Sequence, residues 1–286
     1  MADKKHAKDW QAAIQEEVDS LVKNGTWEEF ILPQGSNLVS TKWVFLVKTK
    51  DNKVERFKAR LVARGFSQVL GKDYNETFAP TVRLDTLRLF LAIVAREDLE
   101  CSHFDIKNAF TESYLKEEIY LAPPQGVHVR RGRVLHALRS LYGLNQAGRD
   151  WSLLLKGELT KMGFVQSLAD PCLYTNHPRQ LILLVYVDDI VTAAAQKRDI
   201  QCFITTFLLD STPKTWGRLV RSLGVRIIRN RSERVLTMDQ EEYLDAMLTR
   251  FGISHGQHTP RKIPISDYNQ LRPTLPDDKL TDVNEY

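Results

Sequence analysis

The stretch that most restricts the fold is Leu181 to Ala193, "LILLVYVDDIVTA", where a continuous apolar run ends in two adjacent aspartates. Leu181 to Tyr186 is apolar on both alternate faces, which suits a central strand covered on two sides, and Asp188-Asp189 suits a tight turn into a partner strand. In isolation this is also how a plain Asp-rich hairpin turn reads. Carboxylates held at the end of a central strand are costly, however, unless a lysine, an arginine or a metal ion offsets their charge. A second site of the same kind lies far upstream: Asp105 follows a short predicted strand at Cys101 to Phe104 and precedes the helix-like "IKNAF". Brought together in one sheet, the two sites would offer oxygen ligands to two Mg²⁺ ions, hard cations that prefer carboxylates. Two such ions can clamp the attacking and leaving oxygens of an in-line phosphoryl displacement. Phosphoryl transfer is the chemistry this pattern points to.

Composition sets the context. With 286 residues, 43% of them hydrophobic, the chain can bury one or two cores, and wholesale disorder is excluded. No apolar run approaches bilayer-spanning length and "MADKKHAKDW" is unlike a signal peptide, so a soluble intracellular protein is expected. Cys101, Cys172 and Cys202 form no CxxC pair and read as reduced thiols. The net charge of +4 is mild but unevenly spread: residues 42–72 carry nine Lys/Arg against two acids, and residues 128–161 seven against two. Such clusters are solvated faces or polyanion contacts.

Periodicity alternates along the chain. Trp10, Ile14, Val18 and Leu21 predict an amphipathic helix that stops at Asn24-Gly25. Pro33 and Gly35 mark a loop, and "LVSTKWVFLVKTKDNKVERFKARLVARGF" predicts a basic hairpin about an Asp51-Asn52 turn. Leu87, Phe90, Leu91 and Val94 predict a helix with Asp85 as N-cap, and Trp151, Leu154, Leu155, Leu159 and Met162 one that ends near Gly163. Beyond the opening stretch, a helix around Ile200 to Leu209, a hairpin of "LVRSLGVRII" with "RVLTM", a helix over 240–251 and a loosely ordered acidic tail are expected.

The stretches "EEVDSLVKNGTWE", "KWVFLVK", "KARLVARGFSQVLGKDYNETFAP", "FDIKNAF", "EEIYLAPPQG", "SLYGLNQAGRDW", "GFVQSLADPCLY" and "LVYVDDIV" follow in an order and spacing that resembles the reverse transcriptase domain of copia-type LTR retrotransposons. "FDIKNAFTESYLKEEIYL" and "LADPCLY" look like the fungal members. The resemblance, which runs from Trp10 to the C-terminus, implies an α+β polymerase right hand. An N-terminal helix and linker would occupy 1–36, fingers 37–84, a palm with a ferredoxin-like antiparallel sheet and packed helices 85–230, and the start of a thumb or connection with the tail 231–286. The implied activity is RNA-directed DNA polymerisation, with two Mg²⁺ ions (or Mn²⁺ in their place) and dNTPs added to a primer 3′-hydroxyl. Asp105 falls at the first catalytic aspartate and "YVDD" at the second signature, so Asp105, Asp188 and Asp189 are the implied catalytic metal ligands, Asp188 the better supported of the last two. Phe110 falls where these enzymes place an aromatic under the sugar, positioned to crowd a 2′-hydroxyl; without the family it would read as core. Gln146 lies in the motif that contacts nucleotide and template. Lys58 and Arg60 fall in the fingers region that meets the triphosphate, arginine suiting bidentate and lysine mobile contacts. Tyr186, Arg149 and Gly224 are implied primer or template contacts, Gly224 by permitting close approach in a hairpin resembling the primer grip. The implied partners are an RNA template, a DNA primer or RNA–DNA hybrid, dNTPs and other polyprotein segments, with no membrane; an intact element would work in a cytoplasmic virus-like particle.

Three departures stand out. Asn145 replaces the family's usual lysine, Gly148 stands where Pro or Ala is common, and residues 208–222 match poorly. The chain stops short of a ribonuclease H segment and shows no likeness to protease, integrase or zinc knuckle, which suggests a polyprotein fragment, a relic or a shortened product. Two other readings remain: a non-catalytic nucleic-acid-binding remnant, and another Mg²⁺-dependent palm enzyme, such as a cyclase acting on free nucleotides.

Overall fold

The structure is a computed structural model and describes residues 6–50, 53–207 and 213–253. The first half runs α1 (Ala7–Lys23), β1 (Trp27–Phe30), β2 (Leu38–Val39), β3 (Thr41–Lys50), β4 (Lys53–Ala63), α2 (Leu84–Arg96), β5 (Glu100–Ile106), β6 (Tyr114–Leu121) and β7 (Val134–Arg139). The second runs α3 (Ala147–Lys161), β8 (Val165–Gln166), β9 (Leu173–Asn176), β10 (Leu181–Tyr186), β11 (Asp189–Ala194), α4 (Lys197–Phe207), β12 (Pro213–Arg218), β13 (Arg221–Ser222), β14 (Val225–Asn230), β15 (Val235–Asp239) and α5 (Glu241–Arg250). The architecture is α+β, as expected.

Its centre is a six-stranded antiparallel sheet in the order β12-β5-β11-β10-β9-β8. The apolar run of β10 is continuous because both faces of the sheet are covered. Leu183, Val185 and Ile190 pack with Trp151 and Leu155 of α3 and Phe203 of α4, while Leu184 and Val191 pack with Phe90 and Leu91 of α2 and Ile227 of β14. A second core joins α1, β4 and a four-stranded sheet in the order β1-β7-β6-β2 through Leu21, Leu61, Ile119, Leu121 and Leu135.

Several expectations are corrected. Residues 27–30 lie in the stretch read as linker but form a strand against β7. Neither β6 nor β7 was foreseen: β6, "YLKEEIYL", breaks its alternation with charges, and β7 is short. Asp105 is inside β5, which continues to Ile106. Asp85 is not the cap of α2. The N-cap position is Arg83, and the carboxylate of Asp85 instead accepts from Arg88 at 3.1 Å. Capping comes from remote residues. Asp170, buried, accepts from the Arg83 N–H (3.2 Å), the Thr86 hydroxyl and the Cys172 N–H (2.9 Å). At the other end Arg229 donates to the carbonyls of Leu99 (2.6 Å) and Val94 (3.3 Å). An acid at the N-terminus and a base at the C-terminus both suit the helix dipole. The expected Asp51-Asn52 turn, Leu208-Leu209 at the end of the helix expected around Ile200 and the acidic tail from residue 254 lie outside the described residues.

Candidate active site

The register of the central sheet brings the aspartates together. β11 pairs with β5 so that Asp189 lies directly across from Asp105, and directly opposed residues share a sheet face. Between β10 and β11 the chain turns on Val187 and Asp188, and the Ile106 N–H donates to the Asp188 carbonyl at 2.9 Å. Val187 has φ +55°, a left-handed conformation that a β-branched residue adopts only under constraint. The constraint is visible: the indole N–H of Trp151, only 4% exposed on α3, donates to the Val187 carbonyl at 2.7 Å. The helix behind the sheet thus fixes the turn that carries Asp188.

The three carboxylates do not share one environment. Asp189 Oδ1 lies 3.0 Å from Nε2 of His103, two residues before Asp105 on the same face of β5. Asp188 and Asp105 both act electrostatically on Tyr142. Burial pushes that phenol up to about 12, the nearby Arg60 works against the rise, and the charges of Asp188 and Asp105 add to it. Among the described residues no three acidic, histidine or cysteine side chains close into a ready-made metal cage. The three carboxylates at the strand junction nonetheless offer hard oxygen donors, which suit Mg²⁺, with the His103 imidazole beside Asp189.

The β3–β4 hairpin is linked to this junction through Arg60, whose charge acts on Tyr142 together with those of Asp188 and Asp105. Its register sets Val44 opposite Arg60, Leu46 opposite Lys58 and Lys48 opposite Arg56, so one face carries Lys42, Lys48, Arg56, Lys58 and Arg60 with Val44 and Leu46 between them. The other face carries Phe45 and Phe57, against which Trp10 of α1 packs edge-on with centroids 5.0 and 4.7 Å away. The Arg60 guanidinium lies 4.7 Å from the centre of the Tyr142 ring, and Phe110 meets the same ring at 4.9 Å and 73°. Phe110 stands on a single 3₁₀ turn, Ala109–Glu112, entered through Asn108 at φ +56°. Lys58 and Arg60 also lie near Glu17, whose carboxyl burial raises above its ordinary range despite those charges.

Gln146 is placed differently from a cleft-facing residue: it is 2% exposed. Its amide oxygen accepts from Gln68 at 3.0 Å and its amide nitrogen donates to the Asp73 carbonyl at 2.9 Å. Asn145 joins the same seam, its N–H donating to Gln68 Oε1 at 2.8 Å and its side chain to the Gly65 carbonyl at 3.0 Å. Glycine is required where this seam meets the end of β4. The Ala63 N–H donates to the Tyr142 carbonyl at 2.8 Å, and a Cβ on Gly143 (φ +87°) would lie 2.1 Å from the Ala63 carbonyl oxygen. Arg149 pairs with Glu76, and Tyr186, 39% exposed, ends β10 opposite Asp189. Gly224 has no protein atom within 4 Å of where a Cβ would stand, so its expected role toward a primer draws on no contact within the chain. What that position needs is the positive φ of a two-residue hairpin turn, +52° at Leu223 and +74° at Gly224.

Sequence reasoning missed Tyr142, His103 and Gln68 altogether and took Trp151 as core alone. Trp151 carried a signal, because a buried indole N–H needs an acceptor. A cavity of about 360 Å³ between α2, β5 and β14–β15 is lined by none of the residues expected in the site.

Comparison with known proteins agrees with the geometry. The family described as reverse transcriptase (RNA-dependent DNA polymerase) matches residues 24–267. The retrovirus-related Pol polyprotein from transposon TNT 1-94 of Nicotiana tabacum is 36% identical over 265 residues, 91% of this chain and 20% of that protein. The corresponding polyprotein from transposon RE1 of Arabidopsis thaliana is 30% identical over 284 residues, 97% of this chain and 19% of that one. The chain thus spans about a fifth of the length of these relatives. They are plant transposons and lend no support to the fungal likeness. A solved structure of the foamy viral protease-reverse transcriptase with double-stranded DNA is similar at a TM-score of 0.44 and 15% identity, over 87% of this chain and 37% of that one. With the family match running through both aspartate sites and the seam beside them, the chain belongs to the reverse transcriptase (RNA-dependent DNA polymerase) family, in the branch of copia-type retrotransposons.

Proposed function

We propose that this chain is the RNA-directed DNA polymerase segment of a retrotransposon polyprotein, adding dNTPs to a primer 3′-hydroxyl opposite an RNA template. The observation that carries the reading is the pairing of Asp105 with Asp189 across β5–β11, with Asp188 held in the turn beside them. Two Mg²⁺ ions, when bound, would activate the primer hydroxyl and neutralise the triphosphate. Asp105 and Asp188 are the principal ligands; Asp189 contributes from its contact with His103. Lys58 and Arg60 meet the triphosphate, and Phe110 lies under the sugar and disfavours a 2′-hydroxyl. Gln146 supports the nucleotide site from its seam with Gln68 and Asp73, and Arg149 steadies the same segment through Glu76.

The β3–β4 hairpin with its basic face serves as fingers, the six-stranded sheet with α2, α3 and α4 as palm, and β13–β15 with α5 as the start of a thumb. Tyr186 and the Leu223-Gly224 hairpin face primer and template. The basic face binds nucleic-acid backbone without regard to sequence, as a general copying enzyme requires.

Primer extension on an RNA template with Mg²⁺ and dNTPs, run beside Asp188→Asn, tests the proposal. Template-dependent incorporation that the substitution abolishes is the expected result. Equal incorporation by both proteins would refute the site; salt-sensitive binding without incorporation by either would mark a non-catalytic remnant; incorporation without template would mark an enzyme of free nucleotides.

A further inference from the structure

We propose that Tyr142 is a positioning residue of the nucleotide site: its ring seats the Arg60 guanidinium and backs Phe110, so one side chain sets both triphosphate affinity and sugar discrimination. The inference rests on the roles given above to Arg60 and Phe110. Three contacts converge on this residue. Arg60 lies over the ring at 4.7 Å, a cation–π distance, and Phe110 meets it at 4.9 Å in a T-shaped arrangement. The backbone beneath is fixed by the Ala63 N–H on the Tyr142 carbonyl at 2.8 Å and by the close passage of Gly143 under Ala63. Its neighbours Leu141 and Leu144 are buried in the second core, which anchors the backbone that carries the ring.

Arg60 comes from β4 and Phe110 from the turn after β5, and Tyr142 is where the two meet. Without the ring, Arg60 would be drawn toward Glu17, whose charge it already feels. Phe110 would lose the surface that stops it from retreating before a 2′-hydroxyl. The phenol also lies within range of the charges on Asp188 and Asp105.

The test is steady-state incorporation of dNTPs and rNTPs by the full chain on an RNA template. Tyr142→Met keeps the bulk and removes the π face. It is expected to raise the dNTP KM about fivefold with kcat within about twofold, and to lower the dNTP preference over rNTPs by a similar factor. Primer–template affinity, read by filter binding, should stay unchanged. Tyr142→Phe, which restores the ring, should recover both parameters. In an Arg60→Ala background Tyr142→Met should add nothing to KM, and in a Phe110→Val background nothing to the loss of discrimination, because coupled residues are not additive.

If Arg60→Ala and Phe110→Val shift their parameters while Tyr142→Met shifts neither, or if the double variants are additive, the role of Tyr142 is overturned and the nucleotide-site reading stands. If Arg60→Ala and Phe110→Val are themselves silent, that reading falls and takes the role of Tyr142 with it. Tyr142→His, with a smaller ring, repeats the comparison should Tyr142→Met fold poorly, and its values should lie between those of Tyr142→Phe and the substitution of Arg60 or Phe110.

Discussion

The chain builds two antiparallel hairpins from similarly apolar sequence and uses them in opposite ways. In β10–β11, Leu183, Ile190 and Ala193 are wholly buried, whereas in β3 Val44, Phe45, Leu46 and Val47 remain between 40% and 52% exposed. The difference lies in their neighbours. β10 and β11 sit in the middle of six strands with helices on both faces, while among the described residues β3 and β4 pair only with each other and lean on α1 and the glycine seam. A two-stranded ribbon is marginal alone and needs such support. The buried hairpin can hold carboxylates to the tolerance that in-line chemistry demands, and the exposed one can present cations to a long polyanion. On the proposed reading, chemistry sits where the chain is over-determined, and reach where it is not.

The sharpest way to break this contrast is to remove charge from the buried hairpin. Asp105→Asn and Asp188→Asn are each expected to lower incorporation about a thousandfold, the scale of a lost electrostatic stabiliser in an active site. Asp189→Asn should cost less, roughly tenfold to a hundredfold, because its carboxylate is directed to His103. Extension rates at saturating Mg²⁺ decide the matter: an Asp189→Asn loss as deep as that of Asp188→Asn would mean that all three acids converge during turnover. Trp151→Phe comes next. It leaves the Val187 carbonyl without its donor, so stability to urea should fall by about 1–2 kcal/mol and incorporation about tenfold, with primer–template affinity unchanged.

Both hairpins were legible in the sequence. A continuous apolar run followed by aspartates has few places to go in a sheet, so β10, the turn and β11 follow from "LILLVYVDDIVTA" itself. Helices α1, α2 and α3 were legible from spacing, because Leu21, Phe90 and Leu155 recur on the faces that pack. What stayed hidden depends on distant partners. Asp85 reads as a cap by local rule, but the cap is Asp170, which no local pattern connects to α2. The resemblance puts Gln146 at the nucleotide and template and gives Gln68 no role, yet the two become a buried pair once the end of β4 and the segment before α3 meet. Tyr142 and His103 carry no signal of their own, since a tyrosine in a loop and a histidine in a strand have many bland uses. The register that set Asp105 against Asp189 was inferable only through the family's pattern.

Loosening a helix that covers the buried hairpin gives a subtler probe. The carboxyl of Asp170 is pushed up by burial but pulled down further by hydrogen bonds from Thr86, Cys172 and Arg83, leaving it below its ordinary range. A carboxylate so depressed adds stability above its unfolded pKa, near 3.9, and that contribution is lost as pH falls through the lower folded value. Asp170→Asn should therefore cost about 1 kcal/mol at neutral pH, and its deficit against wild type should shrink as pH drops below about 4. Hydrogen exchange should quicken over 84–96 and 181–194 and stay unchanged over 41–63. Equal quickening in β3–β4 would show the two hairpins to be one cooperative unit.

The smallest effect tests the exposed hairpin. Lys42 and Lys48 are exposed on the same face as Arg56, Lys58 and Arg60, with Val44 and Leu46 interleaved. They have no ion-pair partner among the described residues, whereas Arg56 is engaged by Glu16. A phosphate bound by either lysine would displace no internal pair, and removing the lysine should leave the fold intact. Each phosphate that is no longer neutralised lowers the slope of log affinity against log salt by about 0.9 on duplex and 0.7 on a single strand. Lys42→Gln with Lys48→Gln should thus flatten the slope by between about 1 and 2 and weaken primer–template binding severalfold at low salt. kcat should not move, because among the described residues neither lysine pairs with the carboxylates. A drop in kcat with an unchanged slope would reverse the assignment, making the exposed hairpin part of the chemistry and leaving backbone binding to the basic segment over 128–161.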